Sequence, residues 1–375
     1  MDTVCDVAII GGGPAGTATA LALARAGARV VMLERSDYDT DRNGEILSPR
    51  ARLPLGRLGV WDAFLAQGHA PSPAVASVWG DPQLHEAHFI FNPYGHGWHI
   101  DRRCFDEGLA SAAQQAGACV LRGARAVSWH SDESPTWRIE FISSGRRQRL
   151  QSDFLVDATG RTSATARAQP ATRISYDRLV GIVGSFSDRC PGDHADYRTL
   201  VEAVESGWWY SARLPGSRLV VAYMTDTDLR TRRRAQLLGD YLRLLDDAPH
   251  TRARVDGRTP DVDLQVLAAN SSRLDRATGR HWLAVGDAAM AQDPLSAHGI
   301  CRALESGIDA AEVIANDRIH KDHVAREYEQ RLRQAFDAYL RKRAAYYGCE
   351  TRWPHSTFWS RRASTPSSVD AISLR

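Results

Sequence analysis

Gly11, Gly13 and Gly16 stand at the Gly-x-Gly-x-x-Gly spacing, and an acid, Glu34, follows 18 residues after the third glycine. These residue types at this spacing suit one task, the holding of a dinucleotide pyrophosphate. Gly11 permits a tight turn, Gly13 lets the backbone approach the phosphates, and Gly16 lets a helix pack on a strand. Pro14 and Ala15 open that helix, whose first N–H groups and dipole attract the phosphates. Glu34, with Arg35 beside it, is placed to accept a ribose hydroxyl.

The elements that must position these residues are legible around them. An apolar run, residues 7–10, precedes the glycines. A small-residue helix follows over 17–26, and a second apolar run over 30–33 ends at Glu34. This is a βαβ unit. Residues 36–56 are polar around Arg42, Asn43, Gly44 and Glu45, which suggests a loop touching a ligand. Residues 49–67 and 101–116 have helical spacing. Short alternating runs over 74–100, and again over 178–187, 197–203, 207–214 and 218–225, predict antiparallel strands. Buried strands with glycine turns return at 154–160 and 281–287. Helices are predicted over 299–315 and 324–345, the latter with Tyr328, Leu332, Phe336 and Leu340 on one face. The tail from 364 is Ser/Pro-rich and reads as loose.

The fold class is therefore α/β: a Rossmann-like dinucleotide domain, interrupted by an antiparallel-sheet substrate domain and followed by a C-terminal helical segment. The expected boundaries are 1–73, 101–165 and 272–330 for the dinucleotide domain, 74–100 and 166–271 for the substrate domain, and 331–375 for the remainder.

Bulk properties exclude other classes. A net charge of +2 gives no electrostatic case for nucleic acid or a membrane surface. The six cysteines, Cys5, Cys104, Cys119, Cys190, Cys301 and Cys349, form no Cys-x-x-Cys pair and have no histidine cluster beside them. Reduced thiols, no metal site and a cytoplasmic location are expected. Met1 to Thr3 run straight into the first strand with no cationic leader, and no apolar run approaches membrane-spanning length.

Three further motifs accompany the glycine turn: Arg102-Arg103-Cys104-Phe105-Asp106, Asp157-Ala158-Thr159-Gly160, and Gly286-Asp287 with Asp293-Pro294-Leu295-Ser296-Ala297-His298-Gly299. The set resembles FAD-dependent monooxygenases of the para-hydroxybenzoate hydroxylase type, whose FAD domain is of the glutathione-reductase type, and their relatives the tryptophan halogenases. The resemblance spans roughly residues 1–330 and implies bound FAD. By it, Asp157 and Gly160 belong to the FAD site. Asp287 accepts a ribityl hydroxyl, Arg102 lies near the phosphates or ribityl chain, and Arg42 and Glu45 sit on a second flavin-contacting loop. Pro294 walls the ring, and Gly299 and Ile300 open a helix that faces it. The single nucleotide fingerprint implies that NADPH or NADH docks transiently, or that a separate flavin reductase supplies electrons.

On the substrate side, strand alternation puts Trp209, Ser211 and Arg213 on one face and Trp208, Tyr210 and Ala212 on the other. Trp209, Met224 and Trp79 are the expected substrate contacts, with Trp98 and His99 as further wall. Glu45, Tyr210 and His298 are the candidate bases.

Halogenases use an early lysine, but this chain has none before Lys321. Arginine cannot replace it, because it stays protonated. The halogenase Trp-x-Trp-x-Ile-Pro signature is also altered, to Trp208-Trp209-Tyr210-Ser211-Ala212-Arg213-Leu214-Pro215. A nearer resemblance runs almost end to end, through Arg42-x-Gly44-Glu45-x-Leu47-x-Pro49, Ser77-Val78-Trp79-Gly80, Gly207 to Ser211, and Glu350 to Trp359. It is to halogenase-like flavoproteins that oxygenate a peptidyl tryptophan during quinone-cofactor biogenesis. It implies hydroxylation of an indole or phenol, on a small molecule or a tryptophan-bearing protein, through a flavin C4a-hydroperoxide. A flavin dehydrogenase or reductase, a halogenase, and a flavoprotein scaffold without chemistry are the other expectations.

Overall fold

Thr3–Ile10 lies at the centre of the larger sheet, and its second half, residues 7–10, is covered on both faces, which is why that stretch is an unbroken apolar run rather than an alternation. It pairs in parallel with Val30–Leu33 on one side and with Arg146–Asp157 on the other. Cys119–Leu121 and Trp282–Ala284 extend the parallel order outward. A hairpin of Arg125–Ser131 and Trp137–Ser143 is attached to Arg146–Asp157, and Thr278–Gly279 to Trp282–Ala284. The computed structural model describes residues 3–131, 136–187, 196–230, 233–317 and 323–363. The expected tail from 364 and Cys190 lie outside these residues.

Helices Pro14–Arg25 and Gly299–Asp317 share one core over this sheet, Ala18 and Leu21 with Leu304 and Ile308. Small residues let the helices close on each other: a Cβ on Gly307 would stand 2.5 Å from the Ala15 carbonyl oxygen.

The second sheet has seven strands, in the order Gln265–Ala268, Leu179–Ser187, Arg218–Asp226, Gly207–Leu214, Thr199–Val204, Ala74–Val78, His85–His88. The expected strands are present and antiparallel, although the central ones are buried on both faces, and one pairing departs from the expectation. Thr199–Val204 pairs in parallel with Ala74–Val78; no hairpin joins them, so no turn imposes the antiparallel direction. Gly97–His99 leaves this sheet and pairs with Ile46–Leu47 and Ala70–Ser72. Helices Arg234–Leu245 and Pro249–Val255 cover one face of the seven strands, through Leu237, Tyr241 and Val255.

Helix His323–Gly348 packs on the dinucleotide layer, with Tyr328 and Phe336 fully buried. The chain then crosses to the second sheet, where Trp359 Nε1 donates to the Val204 carbonyl. A buried ion pair fastens the last helix, Thr357–Ala363: both terminal nitrogens of Arg362 reach the Asp226 carboxylate, at 2.6 and 3.2 Å. Removing one member of a buried pair strands the other. Arg361 also contacts Asp226, at 2.9 Å, and softens the loss. Arg362→Met is therefore expected to cost about 3 kcal/mol, the low end for such a break, read as a lower urea midpoint for unfolding.

Candidate functional site

One cavity of about 640 Å³ lies between the two sheets. Residues from four distant stretches meet in it. Gly13, Pro14 and Ala15 come from the first turn. Asn43, Gly44, Glu45 and Arg102 come from the loop and helix behind it. Asp287, Pro294, Gly299 and Ile300 come from the late motifs.

The three glycines have distinct steric surroundings. Gly11 has φ +109, and a Cβ there would stand 2.2 Å from the Ala158 carbonyl oxygen. A Cβ on Gly16 would stand 1.9 Å from the Gly11 carbonyl oxygen. Gly13 has nothing within 4 Å and lines the cavity. Gly160 and Gly299 line it too, and a Cβ on either meets nothing. The cavity wall is thus bare backbone at three points, and helices Pro14–Arg25 and Gly299–Asp317 both begin at it. This cradle fits a dinucleotide whose phosphates take one helix N-terminus and whose ring takes the other.

Behind the cradle runs a charged chain. Glu34 accepts from the Gly12 N–H at 2.7 Å and from Arg42 at 2.8 Å. Arg42 also reaches Asp106 at 3.1 Å, and Asp106 binds Arg102 through both oxygens. Burial opposes the charge on Glu34, but the Ser36 hydrogen bonds and Arg42 outweigh it and hold its pKa below the ordinary value. Arg102 donates to the Asn43 carbonyl at 2.7 Å, so it shapes the loop as well as facing the cavity. Neither Glu34 nor Arg42 lines the cavity; the Arg42 side chain connects to the wall through Asp106 and Arg102, and it positions Glu34. Arg35 is exposed and does not line the cavity.

Several expected site residues have other duties. Asp157 is fully buried, and its carboxylate accepts from the Thr159 N–H, the Thr159 hydroxyl and the Ala166 N–H. It builds the turn that presents Ala158 and Gly160 and does not itself reach the cavity. Trp209 is on the wrong face: it packs against Tyr223 and Tyr241 under helix Arg234–Leu245. Trp208, Tyr210 and Met224 line the cavity instead. Alternation sorted the two sets correctly, but only the covering helix decides which set is core. Trp79 packs on Trp208, Tyr347 and Trp359 and gives its N–H to the Tyr346 carbonyl, outside the cavity. His99 stands behind the cavity-lining Thr199, bonded to its hydroxyl and to the Arg213 carbonyl. Burial pushes its pKa down to about 4, so it is neutral.

His298 is exposed and borders a separate cavity of about 390 Å³, beyond the Pro294 turn. Its Nδ1 contacts the Ser296 carbonyl. That turn is held by Asp293, whose carboxylate caps Leu295 at 2.9 Å and takes the Tyr347 hydroxyl at 2.7 Å and Arg343 at 3.1 Å.

Glu45 and Tyr210 are brought together, 165 residues apart in sequence. The Tyr210 hydroxyl donates to Glu45 Oε2 at 3.1 Å, and both line the cavity. Burial pushes the Glu45 carboxyl above its ordinary pKa. Burial and the neighbouring Glu45 push Tyr210 well above its own. A carboxyl shifted upward inside an apolar cavity holds its proton to a higher pH than a free carboxylate and is suited to proton exchange with a bound ring.

Arg161 is the main residue that motif reasoning passed over. It lines the cavity, donates to the Asn270 and Gln292 carbonyls at 2.7 and 2.9 Å, and faces Asp287 at 3.4 Å. Its position directly after Gly160 was the available signal. No helix among the described residues is long and apolar enough to cross a membrane.

Comparison with known proteins places the chain. The family model described as "FAD binding domain" matches residues 4–317. LodB of Marinomonas mediterranea, by its name a candidate FAD-dependent oxidoreductase, is 31% identical over 95% of this chain and 96% of its own. The flavin-dependent halogenase CmlS superposes with a TM-score of 0.87 at 26% identity, over 98% of this chain and 69% of CmlS. QhpG, a peptidyl tryptophan dihydroxylase essential for tryptophylquinone cofactor biogenesis, superposes with a TM-score of 0.80 at 26% identity, over 98% of this chain and 80% of QhpG.

Proposed function

The chain belongs to the FAD binding domain family and is an FAD-dependent oxidoreductase, and on that premise we propose that it is a monooxygenase that hydroxylates an electron-rich aromatic ring, foremost the indole of a tryptophan held in a peptide or protein. The observation that carries the reading is the single cavity running from the Gly13 turn to the Trp208, Tyr210 and Met224 face, with the Glu45–Tyr210 pair on its wall. The likeness to QhpG supports the peptidyl substrate.

The residues divide the work. Gly13, Pro14 and Ala15 would hold the phosphates, with Glu34 at the ribose. Asp287 and Arg161 would meet the ribityl chain, and Pro294 to Ile300 the ring. Bound and reduced, the flavin supplies the electrons that activate dioxygen. Val183, Val201, Met224 and Leu295 exclude water from the reacting ring. Trp208 supplies an aromatic surface for it. Glu45, steadied by Tyr210, takes the proton released when the hydroxylated ring regains aromaticity.

CmlS favours a halogenase reading on fold. Against it, no lysine occurs before Lys321, and Lys342 borders the smaller, separate cavity. The reductant is NADPH or NADH, used directly or through a flavin reductase.

The test is incubation of the FAD-loaded protein with a tryptophan-containing peptide and reductant under isotopically heavy dioxygen. The peptide is expected to gain heavy oxygen at the indole. A halogenated product when bromide is added, or turnover without oxygen uptake, would sink the proposal.

A further inference from the structure

The seven-stranded sheet ends differently on its two sides. His85–His88 is exposed but dressed in charge: His85 meets Asp81, His88 meets Glu86, and Arg198 reaches Glu86. Such charges blunt an edge against further strand pairing. At the other side, Gln265–Ala268 carries no charge, no proline and no register shift. Val266 is 38% exposed.

The hydrogen-bonding sense of that strand is fixed. The Ala269 N–H donates to the Leu179 carbonyl at 3.0 Å. Antiparallel bonds recur at every second residue, so Leu267 also bonds inward, while Val266 and Ala268 turn their N–H and C=O outward. Among the described residues no strand pairs with this outer side.

The bare edge is also part of the cavity wall. Leu267 and Ala268 line the cavity, as does Gly181, the partner of Leu267 across the ladder. The Asn43 side chain donates to Gln265 Oε1 at 2.9 Å, joining the edge to the loop that carries Glu45.

We propose that an extended peptide segment docks along Gln265–Ala268 as an added strand and so delivers an aromatic side chain of a protein substrate into the cavity. This rests on the peptidyl reading of the substrate. A residue of the incoming strand opposite Leu267 points to the cavity face, with its Cβ about 5 Å from that of Leu267. Backbone bonds provide affinity with little demand on sequence, and the cavity selects the aromatic ring. Continuity of the edge with the cavity, and its lack of the protection given to the opposite edge, argue for this occupant.

The probe is a capped seven-residue peptide with a central tryptophan flanked by threonine and valine. Amide hydrogen exchange of the FAD-loaded protein is expected to slow at Val266 and Ala268 when the peptide is added. Val266→Pro removes one outward donor and leaves the inner ladder intact. It is expected to weaken peptide binding at least about tenfold while retaining FAD, whereas Val266→Ala, which keeps the N–H, binds like the parent. The proposal is overturned by failure of the peptide to bind at about 1 mM, where any free energy of association is already small. Binding without slowed exchange at the edge, or equal binding by Val266→Pro, overturns it too. So does slow exchange before peptide is added, which would assign the edge to a second copy or to residues 364–375; dilution and truncation after Ala363 separate those two. Oxygen gain by the peptide is scored separately. Edge binding without oxygen gain supports docking and overturns the hydroxylation, whereas oxygen gain without edge protection does the reverse.

Discussion

Replacing Gly13 by aspartate is expected to abolish retention of FAD while leaving the protein folded. Gly13 has φ −75, which any residue adopts, and a Cβ there meets no atom within 4 Å. The polypeptide therefore tolerates a side chain, but that side chain stands in the cavity, where its carboxylate opposes the phosphates. A weakening of FAD binding of at least about 100-fold, near 3 kcal/mol, is expected. Flavin absorbance after desalting measures it, and a circular dichroism melt of the apoprotein provides the control. Gly11→Ala and Gly16→Ala should behave differently, because their side chains collide with backbone at 2.2 and 1.9 Å. Those variants are expected to melt early whether or not FAD is present. Normal FAD content in Gly13→Asp would remove the cavity from consideration as the phosphate site.

Glu45→Gln is expected to lower turnover about 100-fold, the lower end of the range for general acid–base groups, with FAD content unchanged. The pH profile gives the sharper signature. Burial holds the Glu45 carboxyl protonated to a higher pH than an ordinary carboxylate. Turnover that needs the carboxylate should rise with pH through that elevated pKa, and the rise should vanish in the glutamine variant. Stability should move the opposite way. Between the unfolded and the raised folded pKa the native state binds more protons, so folding stability declines as pH rises through this window. Glu45→Gln removes that decline, and the variant should be at least as stable as the parent at pH 8. A variant that loses both turnover and stability at that pH would mark Glu45 as a structural residue.

Much of this arrangement was legible in the sequence, and for identifiable reasons. The glycine turn is constrained atom by atom, so Gly11, Gly13 and Gly16 each show the expected environment. The strands near 178–187, 207–214 and 218–225 follow from period-two alternation. What alternation cannot supply is which face a neighbour will cover, and Trp209 was misplaced for that reason. Asp157 and His298 mislead in a related way. A polar residue within a motif can serve the turn rather than the ligand, and only its hydrogen bonds tell the two apart. The Glu45–Tyr210 pair was named residue by residue, but its meeting needed the packing of the two sheets. Arg161 went unread because an arginine after a glycine turn has no periodicity to mark it.

The close seat of Gly307 on Ala15 has one more consequence. It locks the two helices that begin at the cavity, so the distance between their first turns is set by atomic contact and not by loop slack. The pair acts as a gauge of cofactor length. A mononucleotide flavin would engage one mark on that gauge and leave the other unread, so the fixed spacing, alongside Glu34 at the ribose, is expected to favour FAD over FMN.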